Sequence, residues 1–212
     1  MPPFIILSLP RSRSAWLSKF LTYSEWTCEH EALRHVGTLE DAQAWLSIPR
    51  CGFAEPSAAP WWRLISKFAP EARIVVVRRP WQEVLESFAK VPLRSAWTLD
   101  LAALAERLKR LDAKLDQAAA RLSNVLQIRY ADLNDEITCA RVFEHCLPYP
   151  HDSEWWRVLS ATNIQVDLDV LWRQYAAFTK RTERLREAAR ATILADMLDA
   201  KRCKQRNVCP TG

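Results

Sequence analysis

A three-layer α/β domain with a central parallel sheet is the fold class this sequence predicts, and three observations predict it. Residues 4–9 (FIILSL) are almost wholly apolar and residues 72–77 (ARIVVV) are continuous and β-branched, as strands buried on both faces should be. Each run breaks into a basic turn followed by a helical pattern: Pro10-Arg11-Ser12-Arg13-Ser14 after the first, Arg78-Arg79-Pro80 after the second. Further strand and helix patterns then alternate along the chain, the order from which parallel sheets are built.

The elements follow in order. A helix over 15–23 leaves the first turn, and residues 25–28 form a short second strand that runs into Glu29-His30-Glu31. Thr38, with Asp41 three residues on, caps a helix over 39–46. Residues 50–54 make a third strand that ends in Glu55-Pro56-Ser57, and Pro60 sits in the first turn of a helix over 60–68, where its missing N–H does no harm. Pro80 opens a helix over 81–88. Leu101, Leu104, Leu108, Leu111, Leu115 and Leu122 recur at spacings of three and four, Ala118 filling the gap. That is a long amphipathic helix with a narrow leucine stripe. The stripe reads either as the seam of a homodimer through helix 101–122 or as packing within the domain. A strand over 124–130 and a helix over 135–146 complete the core, and Leu147-Pro148-Tyr149-Pro150 ends it. From Leu168 to Met197 a second long helical pattern carries Lys180, Arg181, Arg184, Arg186 and Arg190 on one face, diluted by Glu183, Glu187 and Asp196. A solvated face is the reading for it. The expected organisation is one domain over 1–212: an α/β core at 1–150 and a mainly helical extension at 151–212 with a basic tail.

Composition bounds the function. With 26% charged and 49% hydrophobic residues the 212-residue chain is ordinary globular protein. Its formal charge of +5 favours anionic ligands only weakly, because much of the excess lies in Lys201, Arg202, Lys204 and Arg206. Such a tail reads as solvated, so no nucleic-acid partner is expected. The pairs Trp61-Trp62 and Trp155-Trp156 read as core or interface residues. Six cysteines form no CxxC pair and no finger-like spacing with histidine. Residues 4–9 are too short for a signal segment, and no run reaches the roughly 18 apolar residues of a membrane span. A cytoplasmic protein with reduced thiols is expected, with no metal and no membrane partner.

Chemistry is carried by the turns. In a parallel sheet both basic turns lie at the carboxyl edge, where open α/β folds bind ligands. Their arginines, hydroxyls and backbone N–H groups suit a phosphate or sulfuryl group. The Walker pattern GxxxxGK[ST] is absent, and Lys19 is too far along its helix to replace the missing lysine.

On these residues the sequence resembles the sulfotransferase family, whose donor is 3′-phosphoadenosine 5′-phosphosulfate. The family's first motif, a strand and a turn of the type P-[KR]-[ST]-G-[ST], reads here L-P-R-S-R-S-A-W-L over 9–17. Its second motif, a strand ending in Arg with Ser eight residues on, is matched by Arg79 and Ser87, Arg78 competing with Arg79. Arg129-Tyr130-Ala131-Asp132-Leu133 is similar to the family's later Y-x-D-L segment. The resemblance implies a P-loop NTPase-like topology and transfer of a sulfuryl group to a hydroxyl or amine of a small-molecule or glycan acceptor. It also implies that Arg11, Ser12, Arg13, Ser14, Ala15 and Trp16 hold the 5′-phosphosulfate, that Arg78 or Arg79 with Ser87 holds the 3′-phosphate, and that Arg11 stabilises the leaving group. The acceptor's proton would pass to Glu31 or His30, with His35 and Glu55 as further candidates; Glu31 is preferred because it ends the second strand. Two departures stand out: Arg13 replaces the usual glycine, and the family's C-terminal glycine-containing loop has no counterpart, unless Arg202 to Arg206 substitute for it. The alternatives are a divergent kinase-like nucleotide-binding enzyme and a non-catalytic interaction protein that retains the fold.

Overall fold

The structure, a computed structural model, describes residues 1–56, 58–90 and 100–162. Met1–Ile164 forms one compact unit; the second, Gln165–Gly212, lies outside the described residues, and with it the basic helix and tail expected from the sequence.

Five parallel strands form the sheet: β1 (Phe4–Ser8), β2 (Thr27–His30), β3 (Cys51–Glu55), β4 (Arg73–Arg78) and β5 (Val125–Arg129), in the order β2-β3-β1-β4-β5. All five were expected, each boundary within a few residues. Side chains alternate across the sheet as strand geometry requires. Phe4, Ile6, Val75, Val77 and Ile128 face one layer, made of α1 (Ser14–Phe20), α6 (Glu136–Cys146) and α7 (Ser153–Ala161). Ile5, Leu7, Phe53, Ile74 and Val76 face the other, made of α2 (Leu39–Leu46), α3 (Trp62–Phe68), α4 (Trp81–Ala89) and α5 (Leu101–Arg121). The three-layer α/β/α architecture is therefore as predicted.

Local chemistry sets the ends of these elements. The Thr38 hydroxyl accepts from the Asp41 N–H while the Asp41 carboxylate accepts from the Thr38 N–H, a complete capping box for α2. The leucine stripe of α5 turns inward: Leu108, Leu115 and Ala118 are buried, with Leu104 and Leu111 packed beside them. These buried positions pack within the domain. Helix α7 was not resolved as a separate element in the sequence. Asp152 caps it by accepting from the Trp155 N–H at 2.9 Å. Trp155 in turn donates its indole N–H to the Phe20 carbonyl at 3.0 Å, and the Trp16 indole donates to the Leu159 carbonyl at 3.1 Å, which fastens α7 over α1.

The topology fixes where a ligand can sit. β1 and β4 are neighbours, but the chain leaves β1 towards β2 and leaves β4 towards β5. Their carboxyl ends therefore flank a crevice at the topological switch point. Both basic turns open onto it.

Candidate active site

The turn after β1 is built from strained backbone. Arg11 and Arg13 both have left-handed φ, 63° and 61°, a conformation that costs a non-glycine residue roughly 1–2 kcal/mol. Arg13 thus keeps the backbone shape that glycine would adopt freely. Between them Ser12 is wholly buried, and its hydroxyl has no hydrogen-bond partner, a condition shared at this edge by the hydroxyl of Ser8.

The second turn meets the first directly. Arg79 donates through Nη1 to the Arg11 carbonyl, and Arg11 Nε donates to the Ser87 hydroxyl at 3.2 Å. Arg79 also lies over the Tyr130 ring, 4.1 Å from its centroid, a favourable placement for a cation on an aromatic face. Its Nε is 3.5 Å from a Glu83 carboxylate oxygen yet makes no aligned hydrogen bond and is buried. The ion pair is the weaker description here, because only a well-directed N–H satisfies the atom. The three segments that carry the family resemblance, far apart in sequence, are therefore in mutual contact.

Arg78 and Arg79, adjacent in sequence, part company. Arg78 turns to α5, where its Nη2 stands 2.5 Å from Asp116 and 3.4 Å from Asp112. Burial pushes the Asp112 carboxyl above its ordinary value; Arg78 pulls it down and Asp116 pushes it up. A cavity of about 270 Å³ opens beyond Arg78, lined also by Gln127, Arg129 and Arg141.

His30 ends β2 with its Nε2 2.9 Å from the Ser14 hydroxyl and 3.9 Å from a Glu31 carboxylate oxygen. Of the two base candidates, His30 therefore touches the first turn, and Glu31 stands next to His30. Glu55 ends β3 with 2% of its surface exposed and accepts the Leu33 N–H at 3.1 Å, whereas His35 is exposed. Ala15 and Trp16 lie in the first turn of α1, Trp16 buried against Phe20. The Arg13 guanidinium is committed to the segment after β5: Nη1 donates to the Leu133 carbonyl at 2.9 Å and to Asn134 Oδ1 at 2.7 Å, with the guanidinium carbon 4.7 Å from the centre of the Trp16 ring. Asn134 went unnoticed in the sequence, where nothing in its neighbourhood marks it. Among the described residues no cluster of three His, Cys, Asp or Glu could hold a metal ion, and no helix is long and apolar enough to cross a membrane.

The sequence matches no protein-family model and no curated protein. The fold does have solved counterparts, two of which are sulfotransferases. One is the sulfotransferase domain from the curacin biosynthetic pathway, with a TM-score of 0.55 and 17% identity, covering 73% of this chain and 77% of that one. Another is mouse sulfotransferase SULT7A1 complexed with PAP, with a TM-score of 0.50 and 13% identity, covering 75% of this chain and 62% of that one. The chain has a sulfotransferase-like α/β fold.

Proposed function

We propose that this chain transfers a sulfuryl group from 3′-phosphoadenosine 5′-phosphosulfate to a hydroxyl or amine of a small-molecule or glycan acceptor. The observation that carries the reading is the junction of the two basic turns at the switch point, through Arg11 to Ser87 and Arg79 to the Arg11 carbonyl. A donor with phosphate at both its 5′ and 3′ ends calls for two neighbouring anion sites, and two basic turns meeting at one crevice support that reading. The residues fit such a group: Ser12 Oγ and Arg79 Nε are buried donors without hydrogen-bond partners. Leaving such a donor unmet costs about 1–3 kcal/mol, which an anion in the crevice would recover. The complex of SULT7A1 with PAP, on a similar fold, supports the same class of ligand.

The donor supplies an activated sulfuryl group whose leaving group is the 5′-phosphate oxygen. In this reading Arg11 and Ser12 hold the 5′ end, and Arg11 offsets the charge that develops on the departing oxygen. Arg79 with Ser87 holds the 3′-phosphate. Ser14 lies between the turn and His30, so the first turn and the proton acceptor are positioned by one contact. The acceptor's O–H or N–H proton passes to Glu31 or His30 as its O–S or N–S bond forms and the S–O bond to the donor breaks. Holding the partners in line supplies much of the rate, as it does in phosphoryl transfer. The four described cysteines are free and buried, in keeping with a reducing, cytoplasmic setting.

The test is radiolabelled donor incubated with a panel of hydroxylated and amino acceptors. Label moves to an acceptor with wild-type protein and not with Arg11→Ala. Hydrolysis of ATP that requires magnesium, without sulfuryl transfer, would instead identify the kinase-like enzyme.

A further inference from the structure

We infer that Arg13, which stands where glycine is usual in such turns, is a positioning residue that locks the anion-binding turn in shape before any ligand arrives. The inference rests on the function proposed above but concerns how the turn is held. An arginine at φ 61° gives up the conformational ease of glycine, so the side chain must return something to the site. Its guanidinium does not extend along the crevice. It reaches the segment Tyr130–Asn134, donating to the Leu133 carbonyl at 2.9 Å and to Asn134 Oδ1 at 2.7 Å, and lies over the Trp16 ring. Leu133 is buried in the core and is a fixed anchor.

The same segment is fastened to the turn a second time. Tyr130, at its start, lies under the Arg79 guanidinium, and Arg79 donates to the Arg11 carbonyl. The turn is thus held at both ends: Arg11 through Arg79 and Tyr130, and Arg13 through Leu133 and Asn134. Ser12, the buried hydroxyl between them, is fixed in place by the two arginines that flank it. A glycine would leave one end loose until an anion ordered it, and that ordering would be charged against affinity. The planar fork of arginine suits the task, since it satisfies a carbonyl and an amide oxygen with one rigid group.

Two variants decide the matter, each first verified as folded by thermal denaturation. Arg13→Gly relieves the backbone strain but cuts the link, and Asn134→Ala cuts part of the link without touching any charge. In ligand-free protein, backbone hydrogen exchange at Ser12 and Ser14 should quicken in both. Binding of 3′,5′-adenosine bisphosphate should weaken by about 10-fold in Arg13→Gly and by a few-fold in Asn134→Ala, and the double variant should be no worse than Arg13→Gly alone. Unchanged exchange in both variants would overturn the inference. So would weakened binding in Arg13→Gly beside wild-type binding in Asn134→Ala, which would make Arg13 a direct anion ligand. If wild-type protein binds no bisphosphate, the donor reading fails, while the exchange rates still report whether Arg13 locks the turn.

Discussion

The two edges of the sheet use similar backbone and differ in how they treat polar groups. Among the described residues six non-glycine positions have left-handed φ. Arg11, Arg13 and Glu31 follow strands at the carboxyl edge, and Ser24, Arg50 and Asn124 precede strands at the amino edge. Backbone strain therefore does not distinguish the two edges. At the amino edge the polar groups are matched: the Ile74 N–H donates to the Asn124 carbonyl, the Thr27 N–H to the Arg50 carbonyl, and Arg73 Nη1 to the His145 carbonyl. At the carboxyl edge Ser8 Oγ, Ser12 Oγ, Arg78 Nη1 and Arg79 Nε are buried without a hydrogen-bond partner, four of the seven such atoms found among the described residues. Cavity size does not single out the carboxyl edge, since an opening of about 490 Å³ lies at the amino edge around Glu71, Arg73 and His145. The proposed site is thus marked by polar groups left unmet rather than by volume.

The contrast can be broken most sharply by removing one arginine from each edge. Arg79→Ala should weaken bisphosphate binding by about 100-fold or more, since it removes a charge and a positioned donor together. Arg73→Ala should leave that binding unchanged and instead lower stability by about 1–3 kcal/mol, read by urea denaturation, because the His145 carbonyl loses its charged donor. Equal effects of the two on binding would erase the distinction between the edges.

Gly52 offers a stability test away from the site. A Cβ there would come within 2.0 Å of the Phe4 ring, which is wholly buried. Gly52→Ala should cost about 1–3 kcal/mol in unfolding free energy, with bisphosphate affinity of the folded protein intact. Arg78→Ala should do less to either property: a few-fold loss of binding and under about 1 kcal/mol of stability, since its ion pairs with Asp112 and Asp116 lie near the surface. An effect of Arg78→Ala as large as that of Arg79→Ala would reverse the division of labour between them.

The smallest expected effect is a pH dependence from the amino edge. Burial holds the His145 imidazole below its ordinary value of 6.5, with Arg73 acting in the same direction and the Ile74 carbonyl opposing. The folded state therefore takes up the proton less readily than the unfolded chain, so stability is full above 6.5 and declines as pH falls through that value. His145→Gln should flatten the decline in Tm measured across this range.

Much of this was legible in the sequence because it depends on local pattern. Apolar runs buried on both faces gave β1 and β4, shorter strand patterns alternating with helical ones gave the other three strands, and the Thr38 and Asp41 pair located the start of α2. The convergence of both basic turns at one edge followed from parallel topology alone. What escaped was set by long-range contact. No spacing reveals that Arg13 reaches Asn134, 121 residues away, or that Arg79 and not Arg78 turns to the crevice. Helix α7 escaped because its capping Asp152 follows a proline-rich turn, and what fixes it is the pair of indole bonds to α1. The same indole bond buries the Trp16 side chain.

The central claim is that the crevice between the two basic turns holds a nucleotide with phosphate at both ends. Isothermal calorimetry of the full chain with 3′,5′-adenosine bisphosphate tests it most directly, with 5′-adenosine monophosphate as the comparison. The account predicts one site of micromolar affinity for the bisphosphate, and binding weaker by at least about 100-fold when the 3′-phosphate is missing. Folded protein that takes up no bisphosphate at millimolar concentration, or binds both nucleotides equally, would contradict it.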